Sequence, residues 1–200
     1  ALEALQPLNP YGRSKHEFDR WAATTGVLER IAVTKYFNVY GPNEWHKGDM
    51  RSMVSKGYDQ LVATGKVRLF RSDRPAYRDG EQRRDFISVH DAVDMTLWLG
   101  THPHANGIFN VGSGVAVTWN RLVGAICAAL GREPAIEYVD MPPELRGRYQ
   151  AFTQAEMGKL RAAGCRVPVT PLEDGVRAYV LSHLVTGRSE EHTSELQSLT

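Results

Sequence analysis

Hydrophobic positions along the chain switch repeatedly between the spacing of a helix and that of a strand. Asn9-Pro10 precedes a helical stretch at 10–24. The β-rich apolar run at 31–39 reads as a strand, stopped by the turn signal Gly41-Pro42. A helix is predicted at 50–64, closed by Gly65, then a short strand at 67–70. A polar loop with Pro75 and Gly80 fills 71–83. Residues 85–89 predict a strand and 90–99 a helix, with Ala92, Val93, Met95 and Leu99 at helical spacing. Another strand follows at 108–111, and a helix at 118–130 is closed by Gly131. Residues 136–139 form a strand before Pro142-Pro143. Thr153-Gln154-Ala155-Glu156 predicts a capping box opening a helix that ends at Gly164. Thr170-Pro171-Leu172-Glu173 repeats the device, with proline first in the helix, and the last helix runs to about Leu184. Alternating strands and helices predict an α/β fold, with no internal repeat and no dividing linker.

Composition narrows the class. Of 200 residues, 42% are hydrophobic, enough for one domain with a core. Lys and Arg number 24 against 23 Asp and Glu, which argues against nucleic acid or an anionic membrane as partner. No apolar run approaches the ~20 residues that span a bilayer, and the start carries no signal pattern. Cys127 and Cys165 have no metal or redox spacing, so they read as small hydrophobes in a reducing compartment, the cytoplasm. The polar tail at 187–200 lacks apolar periodicity. Its residues 188–198 read like a translated sequencing adapter and are set aside from fold reasoning.

Candidate chemistry begins with Tyr11-Gly12-Arg13-Ser14-Lys15. On a helix Tyr11 and Lys15 share a face, one turn apart. An ammonium there favours the phenolate, and such a phenol can take a proton from a sugar hydroxyl as hydride leaves for a nicotinamide. Taken alone, the pair also reads as an ordinary exposed helix pair. His102-Pro103-His104 lacks a third metal ligand at useful spacing, and Pro103 marks a turn. Trp21, Trp98 and Trp119 fall in helices and read as packing. Gly112-Ser113-Gly114 lacks the third Gly or the Lys of a phosphate loop and reads as a structural turn.

Four blocks change the weighting. Asn9-Pro10-Tyr11-Gly12-Arg13-Ser14-Lys15, Tyr36-Phe37-Asn38-Val39-Tyr40-Gly41-Pro42, Arg84-Asp85-Phe86-Ile87-Ser88-Val89-His90-Asp91 and Phe109-Asn110-Val111-Gly112-Ser113-Gly114 follow in sequence. In order and spacing the chain resembles the extended short-chain dehydrogenase/reductase superfamily. Three further blocks are similar to the ADP-glyceromanno-heptose 6-epimerase family, over roughly 10–184: Asn43-Glu44-Trp45-His46-Lys47-Gly48, the stretch from Gly147 to Ala155, and Leu160-Arg161-Ala162-Ala163-Gly164. The resemblance implies an incomplete Rossmann-type doubly wound parallel sheet plus a smaller α/β substrate domain. Residues 1–45 and about 84–112 are then the dinucleotide-binding part, and about 46–83 and 113–186 mainly the substrate part. It also implies an ADP-heptose substrate for lipopolysaccharide core synthesis, NADP as cofactor with NAD the alternative, and a homo-oligomer.

The reaction implied is inversion of C6 of the heptose. A carbinol C–H is not acidic, so transient oxidation and re-reduction is the workable route. The oxygen points to different places in the two halves of that route, which calls for two acid/base groups. By motif match these are Tyr11 and Lys47, with Lys15, Val39 and Lys47 at the cofactor. A catalytic Lys47 is expected to be partly desolvated. The same match implies substrate contacts at Asn38, Asp49, Lys56, Phe70, Arg71, Ser72, Asp73, Arg84 and Tyr149. Asp49 and the long 71–83 loop depart from many relatives. Arg84 suits a pyrophosphate, because its planar donors bind two oxygens at once.

The glycine fingerprint Gly-x-Gly-x-x-Gly does not occur in the chain. The sequence is therefore expected to be the carboxy-terminal part of a longer enzyme, weak in cofactor binding and prone to aggregate through uncovered sheet faces. Alternatives are another nucleotide-sugar 4-epimerase, a 4,6-dehydratase, or a non-catalytic binding protein of the same fold.

Overall fold

The computed structural model describes residues 2–7, 9–147 and 149–187; the adapter-like reading of 188–198 lies outside them. Helix α1 spans Pro10–Thr24, with Asn9 Oδ1 accepting from the Gly12 amide at 2.7 Å. Asp19, buried on α1, pairs with Lys35 at 2.6 Å and ties the helix to the strand that follows.

That strand is the first departure from expectation. The run predicted at 31–39 is two pieces, β1 (Ala32–Tyr36) and β2 (Asn38–Tyr40). β1 runs parallel to β5 (Gly107–Val111), and β2 runs parallel to β4 (Arg83–Ser88). The chain changes neighbour at Phe37, whose amide still bonds Val111 O while its carbonyl accepts from Val39. Apolar content cannot signal such a switch, because both pieces are equally strand-like.

Elsewhere β3 (Val67–Phe70) and β7 (Ile136–Val139) form a parallel pair. β6 (Ala116–Thr118) adds an antiparallel partner to β4. β6 was hidden in the sequence by its length, and Thr118 is at once its last residue and the cap of α4 (Trp119–Ala129). The remaining helices are α2 (Met53–Thr64), α3 (Val89–Thr101), α5 (Gly158–Ala162) and α6 (Leu172–Tyr179), the last followed by a π-helical turn at Val180–Leu184.

Neither predicted capping box forms. The amide of Ala155 is taken by buried Asp85 at 2.9 Å, and Thr153 N bonds Arg83 O, so this stretch is held extended and α5 starts only at Gly158. Thr170 gives its hydroxyl and its amide to Asp91, at 2.9 and 2.7 Å, instead of capping α6. In both places a buried carboxylate binds the donors more strongly than a local cap would.

Strand β4 separates two cores. Phe86 joins one with Leu61, Leu122, Ile126 and Cys127; its neighbour Ile87 joins the other with Met95, Phe109, Leu160 and Cys165. Residues at 157–169, expected with the substrate part, pack into the second core. Trp98 stacks on His102 at 4.1 Å, and His102 Nδ1 lies 2.7 Å from Trp98 O, which absorbs the His-Pro-His motif into packing. Among the described residues no helix is long and apolar enough to cross a membrane.

Candidate active site

The turn leaving β2 brings the chain into a cleft. Gly41 packs so closely on Val89 that an added Cβ would overlap that side chain. A 3-10 segment, Trp45–Met50, follows, kinked at Gly48 with φ 53° and ψ −125°. Only glycine adopts that conformation readily. Lys47 sits at this kink.

The cleft measures ≈ 800 Å³. One wall carries Asn38, Val39 and Tyr40 of β2; Lys47 and Lys56 flank it, and Phe70 closes the end of β3. Arg84, Trp119 and Tyr149 also line the cleft. Asn38 Nδ2 is bound to Asp85 O at 2.9 Å, so its amide nitrogen is committed to the scaffold. Tyr40 is buried, and its phenol is pushed up by burial, with Asp91 and Glu173 adding to the effect.

Arg84 is the most unusual member. It is 7% exposed, lies 5.0 Å over the Tyr149 ring and 5.8 Å over Trp119, and donates to Arg83 O at 3.0 Å. No carboxylate lies in ion-pair reach of it among the described residues. Burial pulls its guanidinium below the ordinary arginine value, and the Tyr149 phenol is raised by burial against the opposing charge of Arg84. A desolvated cation without an acid partner is a standing demand for an anion.

Asn38, Val39, Lys47, Lys56, Phe70, Arg84 and Tyr149 are thus brought together. Arg71, Ser72 and Asp73 are not: they line a neighbouring recess of ≈ 770 Å³ that shares Asp140 with the cleft. There Arg71 pairs with Asp79 at 3.0 Å, and Asp73 accepts from the Gly147 amide at 3.1 Å. Asp49 is exposed, and what it contributes locally is its carbonyl, which accepts from Lys56 at 3.0 Å. Tyr11 and Lys15 stand apart on α1, the phenol 73% exposed and the ammonium 5.3 Å from the ring centroid. Lys47 is exposed rather than desolvated, because the loop holds it at the rim. Several cleft residues escaped the sequence reading, Trp119 and Glu44 among them. Trp119 was taken for packing, and Glu44, 5% exposed, has no spacing that signals its partners.

Residues 1–112 match the NAD dependent epimerase/dehydratase family. An ADP-L-glycero-D-manno-heptose-6-epimerase of Nitratidesulfovibrio vulgaris (Hildenborough) is 59% identical over 180 residues, covering 90% of this chain and 56% of the relative. The chain therefore spans about half the length of the curated relatives it matches. The crystal structure of the Helicobacter pylori ADP-L-glycero-D-manno-heptose-6-epimerase is similar with a TM-score of 0.73 at 27% identity, over 88% of this chain and 51% of that one. A Thermus thermophilus UDP-glucose 4-epimerase in complex with NAD gives 0.67 at 26% identity, over 88% and 54%. With the Tyr11 and Lys15 pair, the Arg84 strand and the parallel α/β layers in one chain, these matches make it a member of the NAD dependent epimerase/dehydratase family.

Proposed function

We propose that this chain serves an isomerase that inverts C6 of the heptose in ADP-glycero-manno-heptose, with NADP as the bound cofactor. The observation that carries the reading is buried Arg84, unpartnered by any acid among the described residues and facing a cleft that Lys47 rims. A pyrophosphate fits that demand, since a guanidinium offers two parallel donors to its oxygens. The relatives' names supply the sugar.

The residues present fit one end of a nicotinamide cofactor. Tyr11 and Lys15 offer a phenol and an ammonium on one accessible helix face, and Val39 lines the cleft nearby in sequence to Lys47. Held by Lys15, Val39 and Lys47, such a cofactor would supply reversible hydride transfer at the sugar carbon. Tyr11 takes or gives the proton of the sugar oxygen in one half of the reaction, and Lys47 does so in the other. Lys15 sets its ammonium beside the Tyr11 ring, where it can hold the cofactor ribose. Phe70 and Tyr149 hold the nucleotide side, with Asn38, Asp49 and Lys56 toward the sugar and Arg71, Ser72 and Asp73 toward the nucleotide's outer edge. Exposed Phe18 and Trp21, 45% and 52% accessible and 5.7 Å apart on α1, suit burial in a homo-oligomer.

The test is turnover of ADP-D-glycero-D-manno-heptose, followed by proton NMR, with the enzyme at the full length of its relatives and no added free cofactor. Appearance of the C6 epimer is the expected result. Absence of the epimer, with cofactor bound, would sink the heptose assignment and move the reading to another nucleotide sugar.

A further inference from the structure

Glu44 opens the loop that carries Lys47, and both of its carboxylate oxygens accept hydrogen bonds. Oε2 accepts from the Ser52 amide at 2.7 Å; Oε1 accepts from the Ser52 hydroxyl at 2.6 Å and from the Tyr179 hydroxyl at 2.9 Å. Its backbone carbonyl accepts from the Lys47 amide at 3.0 Å. One buried side chain thus joins the first residue of the loop, the residue that ends it, and the last residue of α6.

The rest of the loop is laced from within. Arg51 Nε donates to Gly48 O at 3.1 Å, and its guanidinium lies 5.2 Å over the Trp45 ring. The same guanidinium pairs with Asp59 on α2 at 2.9 Å. Lys56 donates to Asp49 O at 3.0 Å. Both sides of Lys47 are therefore tied down, while the Lys47 ammonium has no side-chain partner among the described residues.

We infer that Glu44 is a positioning residue: its buried carboxylate clips the 44–52 loop shut and so aims the Lys47 ammonium at the cleft. The inference rests on the proposed epimerase reading for Lys47's role, but the clip itself stands on geometry. Glu44, at the cleft lining, is held by three donors, which fits a positioning role rather than that of a base. A carboxylate suits the position because all three partners are donors, and charge-assisted bonds are shorter and stronger than neutral ones. Tyr179 remains a donor: burial and the neighbouring Glu44 charge both push its phenol up. Immediately after Tyr179 the helix loosens into the π-helical turn at Val180–Leu184.

Glu44→Gln preserves size but replaces the charge-assisted bonds with those of a neutral amide, which hold the loop more weakly. In the enzyme at the full length of its relatives, with ADP-heptose as substrate, kcat should fall on the order of 10²-fold, as expected for a misplaced acid/base group. KM should stay within about two-fold. Combined with Lys47→Met, Glu44→Gln should add no further loss, since both act through one ammonium. Backbone hydrogen exchange at 45–51 should rise, while the Ser113-Gly114 turn stays protected. Tyr179→Phe, which keeps both Ser52 contacts, should give a smaller fall in kcat and serves if Glu44→Gln does not fold. Losses that multiply in the double variant, a raised KM at unchanged kcat, or unaltered exchange at 45–51 would each overturn the inference. If the wild-type enzyme does not turn over the heptose, the epimerase reading fails, and the exchange comparison still decides whether Glu44 holds the loop.

Discussion

Tyr11 and Lys15 stand on an accessible face of α1, whereas Arg84 and Asp85 lie side by side in β4 at 7% and 0% exposure. The two buried neighbours also differ from each other. Asp85 receives the amides of Ser113, Gly114 and Ala155 at 2.7–2.9 Å and the Ser113 hydroxyl at 2.7 Å. Arg84 has aromatic faces around it and no acid among the described residues. The Asp85 charge is thus matched within the fold, whereas the Arg84 charge is left without an acid partner among the described residues. The α1 pair needs neither arrangement, since helix spacing alone sets its phenol and ammonium together.

The comparison breaks most sharply at Tyr11. In the enzyme at the full length of its relatives, Tyr11→Phe should cut kcat on the order of 10³-fold and leave the melting temperature unchanged, because the ring is exposed. An active Tyr11→Phe enzyme would remove α1 from the chemistry. Next comes Asp85→Ala, which strands three backbone amides and should cost about 3 kcal/mol or more in chemical denaturation. A near-neutral result would mean that water replaces the carboxylate and that the strand does not depend on it.

Arg84→Met should raise KM for the nucleotide sugar roughly 10- to 100-fold, the loss of one charged hydrogen-bonding group. Without ligand its melting temperature should hold or rise, because an unpaired buried charge is removed. A large drop in the unliganded melt would make Arg84 a structural residue. The smallest effect belongs to the exposed pair of Arg121 and Glu173, 2.7 Å apart. Its hydrogen bond holds the Glu173 carboxyl below its ordinary value. The stabilisation is thus present at neutral pH and is lost as pH falls through that lowered value. Solvent screening leaves it at about 0.5 kcal/mol, so Glu173→Gln should shift the neutral-pH stability by that little and nothing in strong acid.

What could be read from the chain follows the range of the forces involved. Helix α2 ends where Gly65 adopts φ 74°, and α1 begins at its Asn9 cap, both set by residues within a turn. The boxes at Thr153 and Thr170 were equally good local signals and failed. Their donors found carboxylates 70 and 79 residues away in sequence. Arg84 was legible as a motif, but its burial was not. Glu44 stands in a motif block too, but its burial and its partners were not legible, since its hydroxyl partner Tyr179 is 135 residues distant.

The sequence by itself determined most of the succession of strands and helices, the Tyr11 and Lys15 face, and the motif blocks that mark the family. Local periodicity and short-range hydrogen bonding suffice for these. The tertiary structure alone decided the split of the first strand between two neighbours. It also decided which polar groups were stripped of water, and which of those were given partners. Desolvation and long-range pairing depend on what packs against a residue, and that is settled only when distant segments close over it.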